Sequence, residues 1–117
     1  MELLIQKEQE GCTITLKGDL DLNSCLLLDK AIKKVLCEAY TIKNLLMDCS
    51  GLGYISSAGI GVFIENLQQM ETRRIALIFF GMNDSVRDIF SITGLDSYVT
   101  IVGSKEEVVE LRYNYRF

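Results

Sequence analysis

Short apolar runs alternate with stretches whose apolar residues recur every three or four positions, from one end of this chain to the other. That order restricts the fold more than composition does. A strand followed by a helix and another strand closes most readily as a right-handed crossover, so repeated alternation builds a largely parallel sheet with helices against it. Leu3 to Lys7 and Cys12 to Lys17 are strand-like and flank Glu10-Gly11 as a hairpin, the second with Cys12, Ile14 and Leu16 alternating against Thr13, Thr15 and Lys17. Gly18-Asp19-Leu20-Asp21 reads as a turn, with Asp21 or Asn23 able to cap a helix. In that helix Leu28, Ala31, Ile32, Val35, Leu36 and Ala39 face the core, opposite Lys30, Lys33 and Lys34.

Leu45 to Met47 is a short buried strand closed by Asp48, and Ile60, Phe63, Ile64 and Leu67 form a core stripe on the next helix. Ile75 to Phe80 is another buried strand. Asp84 opens a short helix carrying Val86, Ile89 and Phe90 on one face and stopped by Gly94; Tyr98 to Val102 is a last strand. Ser104-Lys105-Glu106-Glu107 is a capping box for a final helix. The sum, β-β-α-β-α-β-α-β-α, is an α/β fold with a mixed, mostly parallel sheet of about five strands and about four helices. Residues 1–117 form one domain without linker or repeat. The tail Arg112-Tyr113-Asn114-Tyr115-Arg116-Phe117 either packs its aromatics on the sheet or extends as a contact arm.

Composition removes several function classes. A net charge of −4 gives no cationic surface for nucleic acid or anionic lipid. No apolar run approaches the ~20 residues of a membrane span, and no charged segment followed by an apolar one opens the chain, so the expected location is the cytoplasm. Histidine is absent, which removes Ser-His-Asp and Cys-His catalysis and the commonest metal ligand. Cys12, Cys25, Cys37 and Cys49 form no C-x-x-C pair and read as reduced core thiols. No catalytic residues, metal or cofactor are expected. With no G-x-G-x-x-G and no P-loop, a nucleotide binder ranks low, and an enzyme lower still.

The chemistry-bearing segment is Tyr54-Ile55-Ser56-Ser57-Ala58-Gly59-Ile60, which places two serines at a helix entrance. A helix N-terminus carries unpaired N–H groups and partial positive charge. A serine there either caps the helix or receives a phosphate that the N-terminus can accommodate. Gly59 and Gly61 would permit close approach of backbone or partner.

Four segments in order and spacing — Gly18-Asp19-Leu20-Asp21, the strand ending at Asp48, Tyr54-Ile55-Ser56-Ser57-Ala58-Gly59-Ile60-Gly61, and Ile89-Phe90-Ser91-Ile92-Thr93-Gly94-Leu95 — resemble the STAS domain, and in particular its single-domain bacterial members, the anti-sigma factor antagonists. The resemblance covers nearly the whole chain. It implies a partner switch: the unphosphorylated domain binds an anti-sigma factor with serine kinase activity, phosphorylation of one serine releases it, and a serine phosphatase of the metal-dependent type resets it.

The family pattern Asp-Ser-Ser-Gly falls on Ser56-Ser57-Ala58-Gly59, which puts Ser57 in the phosphoserine position, with Ser56 as second choice. The implied partner surface is Asp19, Asp21, Ser56, Ser57, Ala58, Gly59 and Gly61. Ser56 for aspartate removes a charge beside the switch, and Ala58 for serine removes a hydroxyl. The first departure favours an alternative, a phosphorylation-independent STAS interaction module serving as a stress-complex scaffold or as a soluble subunit of a transport system.

Overall fold

A computed structural model of the chain describes residues 1–8, 10–38 and 42–115, without the side chains of 112–115. The elements are β1 (Glu2–Lys7), β2 (Gly11–Leu20), α1 (Cys25–Glu38), β3 (Asn44–Ile55), α2 (Ser57–Thr72), β4 (Ala76–Phe80), α3 (Asp84–Ile92), a 3-10 turn (Leu95–Ser97), β5 (Thr100–Val102) and α4 (Lys105–Tyr115). They form one five-stranded sheet in the order β1-β2-β3-β4-β5. β1 is antiparallel to β2, and every later pair is parallel. This is the mixed, mostly parallel α/β architecture expected of a STAS-like chain.

Sequential parallel strands joined by crossovers of one hand put the crossing helices on one face. Accordingly α1, α2 and α3 share a core with the inward residues of the sheet: Ile14 and Leu16 of β2, Leu45 and Met47 of β3, Leu77 and Phe79 of β4. At its centre Phe79 meets Phe63 and Phe90 edge-on, each at 4.9 Å between ring centroids. Burying a side chain of this size stabilises the fold by roughly 1.5–3 kcal/mol, so these three anchor α2, β4 and α3 as a unit. α4 takes the opposite face, where Val108 packs with Leu46, Ile78 and Phe80.

Several expectations are corrected. β3 does not close at Asp48: it continues to Ile55 because β2 keeps pairing with it, through Lys17↔Gly51, Gly18↔Leu52, Asp19↔Tyr54 and Leu20↔Ile55. Gly51 makes that contact possible, since a Cβ there would lie 2.9 Å from the Lys17 side chain and 3.1 Å from the Leu16 carbonyl. Gly18-Asp19-Leu20 is therefore strand, with Gly18 at φ 110, and the turn begins only at Asp21. Ile64 is not core but 54% exposed; the buried face of α2 runs through Gly59, Ile60, Val62, Phe63, Asn66 and Met70. Asn66 holds a core position because its Nδ2 donates to the Val62 carbonyl at 2.8 Å and to Asp29 Oδ1 at 2.9 Å, leaving its polar group paired.

Tyr98 is likewise 68% exposed and precedes β5, which starts at Thr100. Of the four thiols Cys12, Cys25 and Cys49 are buried, but Cys37 is exposed. Gly94 stops α3 as expected, at φ 78. The Ser104 hydroxyl accepts from the Glu107 N–H, while the Glu107 carboxylate reaches one residue further back, to the Gly103 N–H at 3.1 Å. Ala39 and the tail side chains beyond Leu111 lie outside the described residues.

Candidate partner-binding surface

The surface is built where β2 and β3 end together. Their pairing carries Leu20 alongside Ile55, and the next residue is tied across the gap: the Ser56 N–H donates to the Leu20 carbonyl at 2.9 Å. The start of α2 is thereby fixed to the end of β2, and Asp19 comes into register with Tyr54. Sequence spacing alone did not dictate this junction, because the two segments lie more than thirty residues apart in the chain.

The two serines divide the possible roles. Ser56 is the N-cap of α2, with extended backbone at φ −87, ψ 169, and its Oγ accepts from the Gly59 N–H at 3.2 Å. Its carbonyl accepts from the Ile60 N–H at 3.1 Å. Ser57 is the first helical residue and is exposed, and among the described residues nothing hydrogen-bonds its hydroxyl. No acidic residue occupies the first turn of α2, so the positive end of the helix dipole meets no carboxylate of its own helix.

The flanking residues differ in what they offer. Asp19 is exposed, its carboxylate lying over Gly53, where an added Cβ would sit 3.0 Å from Oδ1. Asp21 is exposed but committed locally: its Oδ1 accepts from the Ser24 N–H at 2.9 Å, and its carbonyl accepts from the Cys25 N–H at 3.0 Å at the head of α1. The Ser24 N–H, and then the Ser24 hydroxyl, hold the Asp21 carboxyl below its ordinary value. The Ser24 hydroxyl also donates to the Asp19 carbonyl at 2.9 Å, which links the two acidic positions through one side chain.

Gly59 is buried. A Cβ there would lie 2.9 Å from side-chain atoms of both Leu20 and Ile55, so the close approach this glycine allows is inward, between α2 and the strand ends. Ala58 is half-buried against the same core. Gly61 is exposed, with open space around it.

Sequence reasoning missed the apolar part of this end of the molecule. Leu22 is 72% and Leu26 66% exposed at the head of α1, and Tyr54 is 53% exposed beside Asp19. For Leu26 a signal was available, as an apolar residue out of phase with the Leu28, Ala31, Ile32 stripe. A groove of about 350 Å³ between β3 and α3, lined by Tyr54, Ile55, Ser85, Val86, Asp88 and Ile89, extends the same end. Among the described residues no group of His, Cys, Asp and Glu is placed to hold a metal, and no helix is long and apolar enough to cross a membrane.

The family model of the STAS domain matches residues 3–108. The chain belongs to the STAS domain family. It is similar to the anti-sigma-B factor antagonist of Listeria monocytogenes, 26% identical over 106 residues that cover 88% of this chain and 89% of that protein. In structure it resembles the Bacillus anti-sigma factor antagonist SpoIIAA in both states of that protein. The unphosphorylated form gives a TM-score of 0.80 at 17% identity over 96% of this chain and 97% of that one. The phosphorylated form gives 0.71 at 17% identity over 93% and 97%.

Proposed function

We propose that this STAS domain is an anti-sigma factor antagonist acting as a partner switch, with the Ser57 hydroxyl as the switched group. The observation that carries the reading is the division of labour at the α2 entrance: Ser56 spends its Oγ on the cap, while Ser57 leaves its own unspent on an exposed first turn. The names of the related proteins support the same direction. In this reading the unmodified surface, made by Asp19, Asp21, Ser56, Ser57, Ala58 and Gly61 over the buried support of Gly59, docks on an anti-sigma factor that is also a serine kinase. A serine phosphatase of the metal-dependent type restores it. The domain itself binds and is modified, performs no catalysis, and works in the cytoplasm.

The physics of release follows from where the charge goes. A phosphate on Ser57 adds about −1.5 to −2 charge at neutral pH. Within the domain the N-terminus of α2 offsets it, since no first-turn carboxylate competes there, so the fold persists. Across an interface the added dianion meets groups that fitted a neutral hydroxyl. Like-charge or desolvated contacts cost several kcal/mol, and about 1.4 kcal/mol is tenfold in affinity, so release by roughly a hundredfold needs only about 3 kcal/mol.

The test is labelling by the cognate kinase with ATP and magnesium, read by intact mass. The wild type and Ser56→Ala take one phosphate, and Ser57→Ala takes none. Full labelling of Ser57→Ala would remove Ser57 from the mechanism. A second reading, a phosphorylation-independent STAS scaffold or transport-system subunit, is favoured by Ser56 standing where the family carries aspartate; unlabelled wild type that still binds a partner would select it.

A further inference from the structure

The outer edge of β1 is a pairing edge left open. Among the described residues β1 has β2 on one side and no strand on the other. Besides charged side chains, which β1 carries only at its ends as Glu2 and Lys7, natural edge strands are usually blunted by proline, bulges, inward charges or short length. β1 has none of these devices: it is six residues long, contains no proline, and pairs with β2 in unbroken register from Glu2↔Lys17 to Lys7↔Cys12, whereas the β2–β3 pairing shifts twice. Its charges sit only at its two ends, and Leu4 at its middle is 55% exposed.

The free backbone groups can be assigned. At the hairpin the Glu8 N–H donates to the Gly11 carbonyl at 2.8 Å, so Glu8 points toward β2. Successive residues of an antiparallel strand alternate in direction. Glu2, Leu4 and Gln6 therefore direct their backbone groups inward to β2, and Leu3, Ile5 and Lys7 direct theirs outward. Leu3 and Ile5 pack their side chains on the core, while Leu4 stands on the opposite face beside a groove lined by Glu2, Leu3, Leu4, Thr15 and Lys17.

We infer that the occupant of this edge is a second copy of the chain, joined antiparallel through β1 about a twofold axis at Leu4. A twofold axis normal to the sheet keeps each face continuous, so only residues of the same parity can stand opposite one another. Centring on Leu4 puts Leu4 against Leu4, exchanges Leu3–Ile5 backbone hydrogen bonds on both sides of the axis, and sets Glu2 against Gln6. Centring on Ile5 puts Glu2 against Glu8, a like-charge pair, and centring on Leu3 presses Glu2 against Leu4. Of these registers only the Leu4 one pairs the exposed leucine with itself and sets the Glu2 carboxylate against a neutral polar side chain. Leu4–Leu4 is then a non-hydrogen-bonded pair, the kind whose side chains approach closest. β2 lies between this edge and the α2 entrance, so each copy keeps its own Ser57 surface.

The test is sedimentation equilibrium of the full chain up to millimolar concentration, with cysteine pairing in a Cys37→Ser background. The wild type shows concentration-dependent doubling of mass. Leu4→Lys weakens association at least about tenfold by placing like charges on the axis, with unchanged melting temperature. Leu4→Cys gives a disulfide-linked dimer under mild oxidation, Gln6→Cys alone does not, and a mixture of Glu2→Cys and Gln6→Cys chains does. A monomer at every concentration, a dimer indifferent to Leu4→Lys, or self-linking through Gln6→Cys overturns the inference. None of these outcomes depends on whether Ser57 is phosphorylated.

Discussion

The entrances of α2 and α3 begin alike and differ in what they leave over. Each is capped by a polar residue in the same extended conformation, Ser56 at φ −87, ψ 169 and Asn83 at φ −73, ψ 169, whose side-chain oxygen accepts a first-turn N–H. Asn83 uses the other end of its side chain as well, donating from Nδ2 to the Leu52 carbonyl at 3.2 Å and the Gly53 carbonyl at 3.3 Å. The next residue there is Asp84, which already supplies negative charge to the helix dipole. At α2 the cap is followed by a neutral, exposed serine and no first-turn acid. The α3 entrance is complete as a structural joint, and the α2 entrance retains room for one added anion.

The sharpest way to break that contrast is to add charge at both places. Ser57→Glu should lower affinity for the anti-sigma partner by roughly a hundredfold in a calorimetric titration. Ser85→Glu, one residue past the α3 position equivalent to Ser57 (Asp84, already acidic), should leave affinity within about twofold; equal losses would mean that the contact surface does not single out α2. The next effect is steric. Gly59→Ala forces a Cβ to 2.9 Å from Leu20 and Ile55 and should cost about 1–3 kcal/mol in denaturant unfolding, whereas Gly61→Ala, in open space, should be neutral or stabilising by up to about 1 kcal/mol.

Removing the caps distinguishes them further. Asn83→Ala should cost about 1–2 kcal/mol because it loses the cap and strips two carbonyls of β3 of a donor; Ser56→Ala should cost about 1 kcal/mol and Ser57→Ala less than about 0.5, all read as shifts in urea midpoint. The smallest effect is in the pH profile. Hydrogen bonds from Lys33 and then Asn66 hold the Asp29 carboxyl below its ordinary 3.8. A folded value below the unfolded one gives stability that is present above the unfolded value and lost as pH falls through the folded one. Asp29→Asn should therefore flatten the acid limb of the stability curve slightly and, because the same carboxylate raises the Lys33 ammonium, also remove the small stability that is lost as pH rises through the Lys33 value.

What was legible in the sequence was local. The hairpin around Glu10-Gly11, the helical stripe of α1 and the Gly94 stop each depend on neighbours within a turn or two, and the element order then implies the sheet. What was not legible depends on partners far along the chain. Ser50, Gly51 and Gly53 have poor strand propensity, and the strand runs through them because Gly51, Leu52, Tyr54 and Ile55 pair with the end of β2 and Asn83 donates to the Leu52 and Gly53 carbonyls. Asn66 lies on the buried face of α2 and Ile64 does not, and the amide is tolerated there because Asp29, thirty-seven residues away, pairs it. At the site the serine pair was readable as a helix entrance. The bond from Ser56 to Leu20, which fixes that entrance beside Asp19, and the exposed Leu22 and Tyr54 around it required the fold.

The most direct test compares the chain stoichiometrically phosphorylated on Ser57 with the unmodified chain, measuring partner affinity and thermal unfolding on the same two samples. The account predicts matching melting temperatures and an affinity reduced by roughly a hundredfold or more. Equal affinities, or a phosphorylated chain that has lost its cooperative unfolding transition, would contradict it.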